Sequence, residues 1–327
     1  MLNVGLHLTK NPEKYKKLLN LLISKIDNPK KINFIQLSTT KDITKAINQL
    51  NILHCYQIKP FFFKSIKNLK WIQIGASGVE KSLFNDVLNS KVIITNASGI
   101  NAIPVSEYVF SCIFYFSKCI FDFIKFKQNR DWLQWDIVKQ TMQIQYQTLG
   151  IIGYGSLGKA IAQKAKAFNM QVIATRRLQK KNEKKKYVDQ LLPPSSLNIL
   201  LKQSDYIVIS CPLTPLTKNL IKLKEFKVMK KNAIIINVAR GEIINENDLI
   251  YAIKNKIIKG AALDVYSNEP LKKNNKLFQL NNVLLSPHVA GNYKGYQNDM
   301  INHFAENLNR FILNKPLKNR ICKKRLY

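Results

Sequence analysis

Apolar and polar positions along the first hundred residues follow two different periods. Short apolar runs, rich in isoleucine and leucine, have the length and composition of buried strands. The segments between them place apolar residues three and four positions apart, which is typical of amphipathic helices. Strands and helices in alternation predict a parallel sheet with helices on its faces. The predicted strands are LNVGLH, NFIQL, NILHCY, KWIQI and KVIITN, and NPEKYKKLLNLLISKI is a clear helical segment.

The alternation begins again at Leu149 and continues to about residue 288. The predicted strands there are LGIIGYG, QVIATR, DYIVIS, AIIINVA, GAALDV and NVLLSP. Helical patterns over 156–168 and 246–255 separate some of them, and the lysine-rich segment LQKKNEKKKY predicts a solvated loop. A last helical pattern, from about 296 to 313, has no strands beside it, so we expect it to pack on the first region. The chain is therefore predicted to be an α/β protein with two doubly wound parallel-sheet domains.

A very apolar stretch, residues 105–126, has the length of a membrane span. Charged side chains interrupt it, and each of them is costly in hydrocarbon. These are Glu107, Lys118, Asp122 and Lys125. The pattern therefore favours a long helix, beginning near residue 102, that is buried in the protein or in a dimer, and it predicts no association with a membrane.

The length and the cysteines narrow the class of protein further. A chain of 327 residues is long enough for two domains, each with its own core. Its five cysteines are an odd number, are widely spaced and include no CxxC pair. This predicts free thiols in a reducing cytoplasm rather than disulfides or a metal site. The N-terminus, MLNVGLHLTK, lacks the basic start and long apolar core of a signal peptide, which favours the same compartment.

The net charge of +32 raises the question of a nucleic-acid partner. The excess is almost entirely lysine and is scattered over the whole chain, since only seven of the 52 basic residues are arginine. Arginine is the side chain that grips phosphate and guanine with two donors. The charge is therefore interpreted as a compositional bias, and no nucleic-acid partner is predicted.

A glycine-rich loop follows the first strand of the second region. Gly153, Gly155 and Gly158 have the spacing G-x-G-x-x-G, directly after a predicted strand and at the start of a predicted helix. The first glycine permits a tight turn, the second lets the backbone approach a pyrophosphate, and the third lets helix and strand pack closely. The spacing alone also occurs in purely structural turns, so it is the strand, turn and helix around it that predict dinucleotide binding.

Three polar residues, Arg240, Glu269 and His288, lie shortly after later strands, at the sheet edge where such folds bind ligands. Together they fit the reduction of a 2-keto acid. The guanidinium can bind the substrate carboxylate, the imidazole can donate a proton to the ketone oxygen, and the carboxylate can orient the imidazole and stabilise its charged form. Each residue alone has a structural interpretation, as a surface cation, a turn residue or a loop side chain. The glycine loop upstream favours catalysis for these three residues. His7, His54 and His303 are not accompanied by such a motif and are predicted to be structural.

Several ordered motifs resemble those of the D-isomer-specific 2-hydroxyacid dehydrogenase family over nearly the whole chain. They are TLGIIGYGSLGKAIA, SCPLTPLTKNLI, AIIINVARGEIINENDLIYAI, GAALDVYSNEPL and SPHVAG. The resemblance implies a Rossmann domain for NAD(P), residues 100–288, inserted in a flavodoxin-like substrate domain formed by residues 1–99 and 289–327. It also implies that Arg240, Glu269 and His288 form the catalytic triad.

The resemblance implies roles for further residues. Ser77 and Gly78, in the segment GASGVE, would offer backbone amides to the substrate carboxylate. Cofactor contacts are implied for the helix start and the ends of later strands, at Ser156, Leu157, Cys211, Pro212, Val238, Ala239 and Asp264. Members of the family are usually dimers, joined through the cofactor domain and the long helix after residue 100, so a homodimer is predicted.

The end of the second strand of this region predicts which cofactor is used. In NAD enzymes of this fold an acidic residue stands there, about 20 residues past the glycine loop. Here Arg176 and Arg177 occupy that place, next to the hydroxyl of Thr175, and no acidic residue occurs between Gly153 and Glu183. Two guanidiniums can bind the 2′-phosphate of NADP, although two solvated arginines are the plain alternative. NADP(H) is therefore predicted to be preferred, with NAD(H) possible.

The function predicted from all of this is an NAD(P)-dependent oxidoreductase that reduces a small 2-keto acid to the D-2-hydroxy acid. Glyoxylate or hydroxypyruvate is the favoured substrate. A D-3-phosphoglycerate dehydrogenase and a non-enzymatic, NAD(H)-sensing corepressor are the alternatives, because both share this fold.

Overall fold

The computed structural model describes residues 1–63 and 67–327 and divides them into two compact units. The first unit consists of Met1–Asn101 and Tyr293–Tyr327, and the second is Ala102–Asn292. The sequence-based boundaries fell after residues 99 and 288. The assignment of one unit to the substrate and the other to the cofactor stays a prediction.

Within the described residues, the first unit contains a sheet of five parallel strands. The strands are β1 (Leu2–Leu6), β2 (Ile32–Gln36), β3 (Ile52–Cys55), β4 (Trp71–Ile74) and β5 (Ile93–Thr95). Their order in the sheet is β2-β1-β3-β4-β5, which is the order of flavodoxin-like folds. β3 and β4 are buried along their whole length, as central strands covered on both faces must be.

The second unit contains, among the residues described, an eight-stranded sheet. The strands are β6 (Thr148–Ile152), β7 (Gln171–Thr175), β8 (Glu183–Lys185), β9 (Val188–Leu192), β10 (Tyr206–Ile209), β11 (Ile234–Asn237), β12 (Gly260–Leu263) and β13 (Val283–Leu285). Their order is β13-β12-β11-β10-β6-β7-β9-β8, and β8 alone is antiparallel to its neighbour. The prediction of two doubly wound parallel sheets is confirmed.

The helices cover both sheets. They are α1 (Pro12–Ser24), α2 (Thr40–Ala46), α3 (Pro60–Phe63), α4 (Asn85–Asn89), α5 (Ala102–Ser117), α6 (Ile120–Asn129), α7 (Gln134–Val138), α8 (Ser156–Ala167), α9 (Leu197–Gln203), α10 (Leu223–Val228), α11 (Glu246–Lys254) and α12 (Tyr296–Ile312). The last helix packs against α1 in the core of the first unit, where Leu18 and Leu22 meet Phe304 and Leu308. This is the packing expected for a terminal helix without strands of its own.

Two expectations about single elements are wrong. The segment predicted to be a solvated loop contains β8, a short edge strand whose side chains are polar on both faces and therefore show no period. The helix predicted from near residue 102 does begin at Ala102, and the expectation is wrong only in its extent: the helix ends at Ser117, and the chain turns at Cys119, where φ is 54°, before α6 begins. In the part of the chain that the structure describes, no helix is both long and apolar enough to cross a membrane.

Candidate active site and cofactor loop

The glycine loop between β6 and α8 has the shape that a dinucleotide requires. Gly153 has a φ of +104°, which L residues rarely adopt. A Cβ on Gly158 would stand 2.3 Å from the Gly153 carbonyl oxygen, so helix and loop pack too closely for any side chain there. Beside Gly155, by contrast, no described atom beyond the glycine itself and its two neighbours in the chain lies within 4 Å of the place of a Cβ. The loop is thus tight at its first and third glycines and open at the second, where a pyrophosphate would approach the start of α8.

The end of β7 is bonded directly to this loop. The amides of Gly153 and Tyr154 donate to the Thr175 carbonyl oxygen, over 3.2 and 2.9 Å. Arg176 and Arg177 follow at once and are exposed. Burial raises the pKa of Tyr154, in the glycine loop, and the positive charge of Arg176 opposes that rise.

The other predicted cofactor contacts lie at the ends of the neighbouring strands and at the helix start. Ser156 and Leu157 begin α8, Cys211 and Pro212 follow β10, Val238 and Ala239 follow β11, and Asp264 follows β12. Cys211 lies against the loop, since a Cβ on Gly153 would stand 2.7 Å from the Cys211 amide nitrogen. Burial raises the pKa of the Cys211 thiol to about 12, so this side chain is neutral at ordinary pH.

His288 and Glu269 form a hydrogen-bonded pair. His288 Nδ1 lies 2.8 Å from Glu269 Oε2, and the amide of Tyr266 donates to Glu269 Oε1 over 3.0 Å. Burial alone would raise the pKa of the Glu269 carboxyl. The hydrogen bonds from His288 and Tyr266 and the charge of Arg240 outweigh burial and hold that pKa below its ordinary value. The pair therefore combines an ionised carboxylate with an imidazole whose side chain is half exposed.

Arg240 lies at the same edge of the sheet, three residues after the end of β11. Its backbone carbonyl accepts a hydrogen bond from Asn237 Nδ2 over 2.9 Å, and its Nη1 donates to the Ala239 carbonyl oxygen over 2.6 Å. Its positive charge contributes to lowering the pKa of Glu269, so the guanidinium acts electrostatically on the acid–base pair. The structure thus brings together a cation, a carboxylate and an imidazole from the ends of successive strands.

In the first unit, the loop after β4 has three successive carbonyl groups held by other segments. Tyr296 Oη donates to the Gly75 carbonyl oxygen over 2.8 Å. The Ala97 amide donates to the Ala76 carbonyl oxygen over 3.1 Å. Asn96 Nδ2 donates to the Ser77 carbonyl oxygen over 2.6 Å. In a trans peptide the N–H of the next residue points away from the carbonyl oxygen. The amides of Ser77 and Gly78 therefore face away from these donors. Within residues 1–63 and 67–327, neither amide donates to a protein acceptor.

The histidines predicted to be structural lie in the first unit. His54 is fully buried beside Phe304, with its ring centroid 4.8 Å from that of the phenylalanine, and burial lowers its pKa to about 3. His303 Nε2 lies 2.9 Å from the Asn96 carbonyl oxygen. Among the described residues, no group of three or more histidine, cysteine, aspartate or glutamate side chains is arranged to hold a metal ion.

Comparison with known proteins gives this geometry a family. Residues 110–290 match the family described as D-isomer specific 2-hydroxyacid dehydrogenase, NAD binding domain. The chain belongs to this dehydrogenase family. The prediction of an oxidoreductase of the 2-hydroxyacid dehydrogenase class is thereby confirmed.

Relatives within the dehydrogenase family cover most of the chain. A glyoxylate reductase of Thermococcus litoralis is 32% identical over 276 residues, which cover 82% of this chain and 81% of the relative. A glycerate dehydrogenase of Methylorubrum extorquens is 33% identical over 273 residues, 77% of this chain and 79% of the relative. The similarity thus extends well beyond the cofactor loop.

Solved structures have the same architecture as this dehydrogenase. A D-isomer specific 2-hydroxyacid dehydrogenase family protein from Aeromonas salmonicida superimposes with a TM-score of 0.81 at 27% identity, over 98% of this chain and 99% of the other. An NADPH-dependent glyoxylate/hydroxypyruvate reductase from Sinorhizobium meliloti superimposes with a TM-score of 0.84 at 21% identity, over the full length of both chains, and this second likeness concerns the fold alone.

In each of the two units, the sequence did not point to residues that hold the predicted site residues in place. The Tyr266 amide fixes one oxygen of Glu269, and the Tyr296 hydroxyl and the Asn96 side chain hold the loop after β4. Tyr266 lies within the motif GAALDVYSNEPL but acts through its backbone amide, which its residue type does not reveal. Tyr296 and Asn96 belong to no recognisable motif, because a side chain that donates to a backbone carbonyl leaves no periodic pattern. Tyr266 lies only three positions from Glu269, whereas Tyr296 lies 221 positions from Gly75, and only the folded structure brings that second pair together.

Proposed function

We propose that this dehydrogenase reduces a small 2-keto acid, glyoxylate or hydroxypyruvate in the first place, to the D-2-hydroxy acid, and that it prefers NADPH to NADH. The observation that carries the proposal is the 2.8 Å pair of His288 and Glu269 with the charge of Arg240 beside it. The names of the relatives, glyoxylate reductase and glycerate dehydrogenase, support substrates of this size.

The three side chains divide the work as follows. Glu269 engages His288 Nδ1, so the proton for the substrate oxygen is carried on the other ring nitrogen, Nε2. His288 gives that proton to the ketone oxygen while the carbon is reduced, and Glu269 stabilises the charged ring beforehand. Arg240 binds the carboxylate and polarises the ketone with its planar pair of donors. The bound nicotinamide supplies the hydride.

Ser77 and Gly78 are proposed to bind the substrate carboxylate through their backbone amides. The support for this role is the arrangement of the loop, in which the carbonyl groups are held by Tyr296, Ala97 and Asn96 while the amides have no protein acceptor among the described residues. Amides held in fixed directions bind an anion without paying the entropy of ordering a loop.

The preference for NADP(H) rests on Arg176 and Arg177. The Thr175 carbonyl is bonded to the glycine loop, so the two arginines begin where the adenosine ribose of a dinucleotide lies in this fold. Two positive charges there attract a 2′-phosphate, which an acidic residue would repel. A tenfold preference requires about 1.4 kcal/mol of differential transition-state binding.

The test is a comparison of kcat/KM for NADPH and NADH with glyoxylate as substrate. The wild-type enzyme should favour NADPH by about tenfold or more, and Arg176→Asp should shift that preference towards NADH. Lys180→Asp makes the same charge change at an exposed position of the same segment and should leave the preference almost unchanged. Equal use of both cofactors by the wild-type enzyme would contradict the cofactor proposal.

The substrate proposal is tested with a panel of glyoxylate, hydroxypyruvate, pyruvate and 3-phosphohydroxypyruvate. The first two should give the highest kcat/KM. A dominant rate with the phosphorylated acid would instead identify a phosphoglycerate dehydrogenase. Binding of NADH without turnover of any member of the panel would favour a cofactor-sensing protein, and the enzymatic proposal would then be wrong.

A cytoplasmic homodimer is proposed as the working form. Large apolar side chains are exposed on α6, on α7 and on the segments that follow these helices, among them Phe123, Ile124, Trp132, Trp135, Val138 and Met142. An exposed apolar surface of this kind is typical of a protein–protein contact. The free cysteines agree with a reducing compartment. Light scattering on the purified protein should give twice the mass of the chain.

A further inference from the structure

Tyr108, on α5, is linked by hydrogen bonds to the loop that carries His288. Tyr108 Oη lies 2.6 Å from Ser286 Oγ, and Ser286 Oγ lies 2.5 Å from Asp264 Oδ1. Asp264 is buried, with 2% of its surface exposed, and the two hydroxyl side chains are partly buried. The shorter distance, from Ser286 to Asp264, is typical of a hydroxyl group that donates to a carboxylate.

The direction of the two hydrogen bonds follows from the donors present. Ser286 donates its single hydroxyl proton to Asp264, so it can only accept from Tyr108. Burial raises the pKa of Tyr108, which keeps the phenol protonated and able to donate. The chain of donors therefore runs from Tyr108 through Ser286 to Asp264.

Asp264 in turn holds the residues that follow His288. The amides of Val289 and Ala290 donate to its two carboxylate oxygens over 2.8 and 3.0 Å. On the other side of the histidine, the Ser286 carbonyl oxygen accepts from Tyr266 Oη over 2.9 Å. His288 lies between these two attachments.

The backbone of His288 has a φ of +54°. This left-handed conformation is uncommon for residues other than glycine and costs free energy that the surrounding structure must offset. The attachments through Asp264 and Ser286 are those surroundings, because they fix the chain immediately before and immediately after the histidine.

We propose that Tyr108 is a positioning residue for His288. Its hydroxyl group holds the Ser286 side chain on Asp264, and this contact fixes the backbone bend at His288, which sets the direction of the imidazole. The inference rests on the proposed function, in which His288 donates a proton. Without the Tyr108 hydroxyl, Ser286 would be free to turn away from Asp264, and the bend would lose one of its restraints. A misplaced proton donor lowers the rate of the chemical step much more than it lowers the binding of the cofactor.

The test begins with Tyr108→Phe, which keeps the ring and removes only the hydroxyl group. We expect kcat for keto-acid reduction to fall by about tenfold, with the KM for NADPH changed by less than about twofold. The solvent deuterium isotope effect on kcat should rise, because proton transfer from a misaligned histidine becomes more rate-limiting. Tyr115→Phe, a partly buried tyrosine on the same helix, is the matched control and should behave like the wild-type enzyme.

A second pair of variants separates positioning from general support of the fold. Ser286→Ala should lower kcat at least as much as Tyr108→Phe, and the double variant should be no slower than Ser286→Ala, because both changes break one chain of donors. Ser286→Thr retains the hydroxyl and should restore most of the activity. If Tyr108 only supports the fold, Tyr108→Phe should lower the melting temperature and the number of NADPH-binding sites and leave the isotope effect unchanged. The losses of kcat in Tyr108→Phe and Ser286→Ala should then be additive in the double variant. That result would overturn the proposal.

His288→Gln distinguishes failure of this inference from failure of the proposed function. If His288→Gln abolishes reduction while Tyr108→Phe leaves kcat and the isotope effect unchanged, the function stands and the positioning role of Tyr108 is wrong. If His288→Gln retains more than half of the wild-type rate, the proposed function is wrong and the positioning role is overturned with it.

Discussion

The loop that carries His288 and the loop after β4 are held in place in opposite ways. In the His288 loop the groups proposed to do chemistry are side chains, and several of the residues that fix them lie close in sequence, from Asp264 to Ala290. In the loop after β4 the proposed working groups are backbone amides, and their positions depend on a tyrosine more than two hundred residues away in the chain. Working side chains can be predicted from residue types and spacing, whereas the amides of Ser77 and Gly78 were predicted only through the resemblance to a family, and the donors that hold their loop are seen only in the structure.

The same difference sets how strongly each loop should respond to substitution. A side chain that transfers a proton can be removed by one mutation, and the whole of its contribution is lost. A backbone amide cannot be removed by changing its own side chain and can only be displaced by weakening a neighbouring contact. We therefore expect large effects on kcat in the first loop and small effects on KM in the second.

The largest effect is expected for His288→Gln. Loss of the proton donor should lower kcat by about two to four orders of magnitude, the usual contribution of general acid catalysis. NADPH binding, measured by fluorescence titration, should be almost unchanged, because the glycine loop is formed by other residues. His7→Gln replaces a partly buried histidine of the first unit and is the control, which should keep the wild-type rate.

An intermediate effect is expected for Glu269→Gln. Glu269 has a pKa below its ordinary value, so in the wild-type enzyme it remains charged at pH values where a free glutamate begins to take up a proton. Its charge favours the protonated imidazole that reduction requires. Without it, the rate of reduction should begin to fall at a lower pH than in the wild-type enzyme.

The measurement is kcat as a function of pH for the wild-type enzyme and for Glu269→Gln. Glu306→Gln, which removes a carboxylate paired with Lys318 in the first unit, is the control and should leave the profile in place. A profile that Glu269→Gln does not move would mean that the carboxylate and the imidazole do not interact in the working enzyme.

Much of the fold and part of the candidate site could be predicted from the sequence, for identifiable physical reasons. The glycine loop was recognisable because a φ of +104° at Gly153 and a 2.3 Å approach at Gly158 exclude other residues. The central strands were recognisable because burial on both faces demands unbroken apolar runs. The roles of Arg240, Glu269 and His288 remain predictions, although the structure brings their charges together.

Other features could not be predicted because their causes are not local. β8 is polar on both faces and pairs with a neighbour only at the sheet edge. The interruption between α5 and α6 occurs at Cys119, which is neither a glycine nor a proline and so gives no signal in the sequence. Tyr108 occupies a partly buried position of a very apolar helix, where a tyrosine is normally interpreted as part of the core. Its bond to Ser286 joins residues that are 178 positions apart.

The smallest effect is expected for Tyr296→Phe, and it tests the loop after β4. The variant removes the donor to the Gly75 carbonyl and so loosens the peptide that precedes the amides proposed to bind the carboxylate. One such hydrogen bond contributes about 1 kcal/mol, so the KM for the keto acid should rise about fivefold while kcat stays nearly constant. Burial, with the nearby Tyr56, raises the pKa of Tyr296 to about 12, so the phenol donates at every pH of an ordinary assay. The ratio of the KM of Tyr296→Phe to that of the wild-type enzyme should therefore not change with pH.

Tyr293→Phe is the control, because it removes a hydroxyl group that donates to Asp299 instead, and it should leave KM unchanged. A fall in kcat with constant KM after Tyr296→Phe would mean that this loop serves the chemical step rather than binding, and the contrast between the two loops would then be wrong.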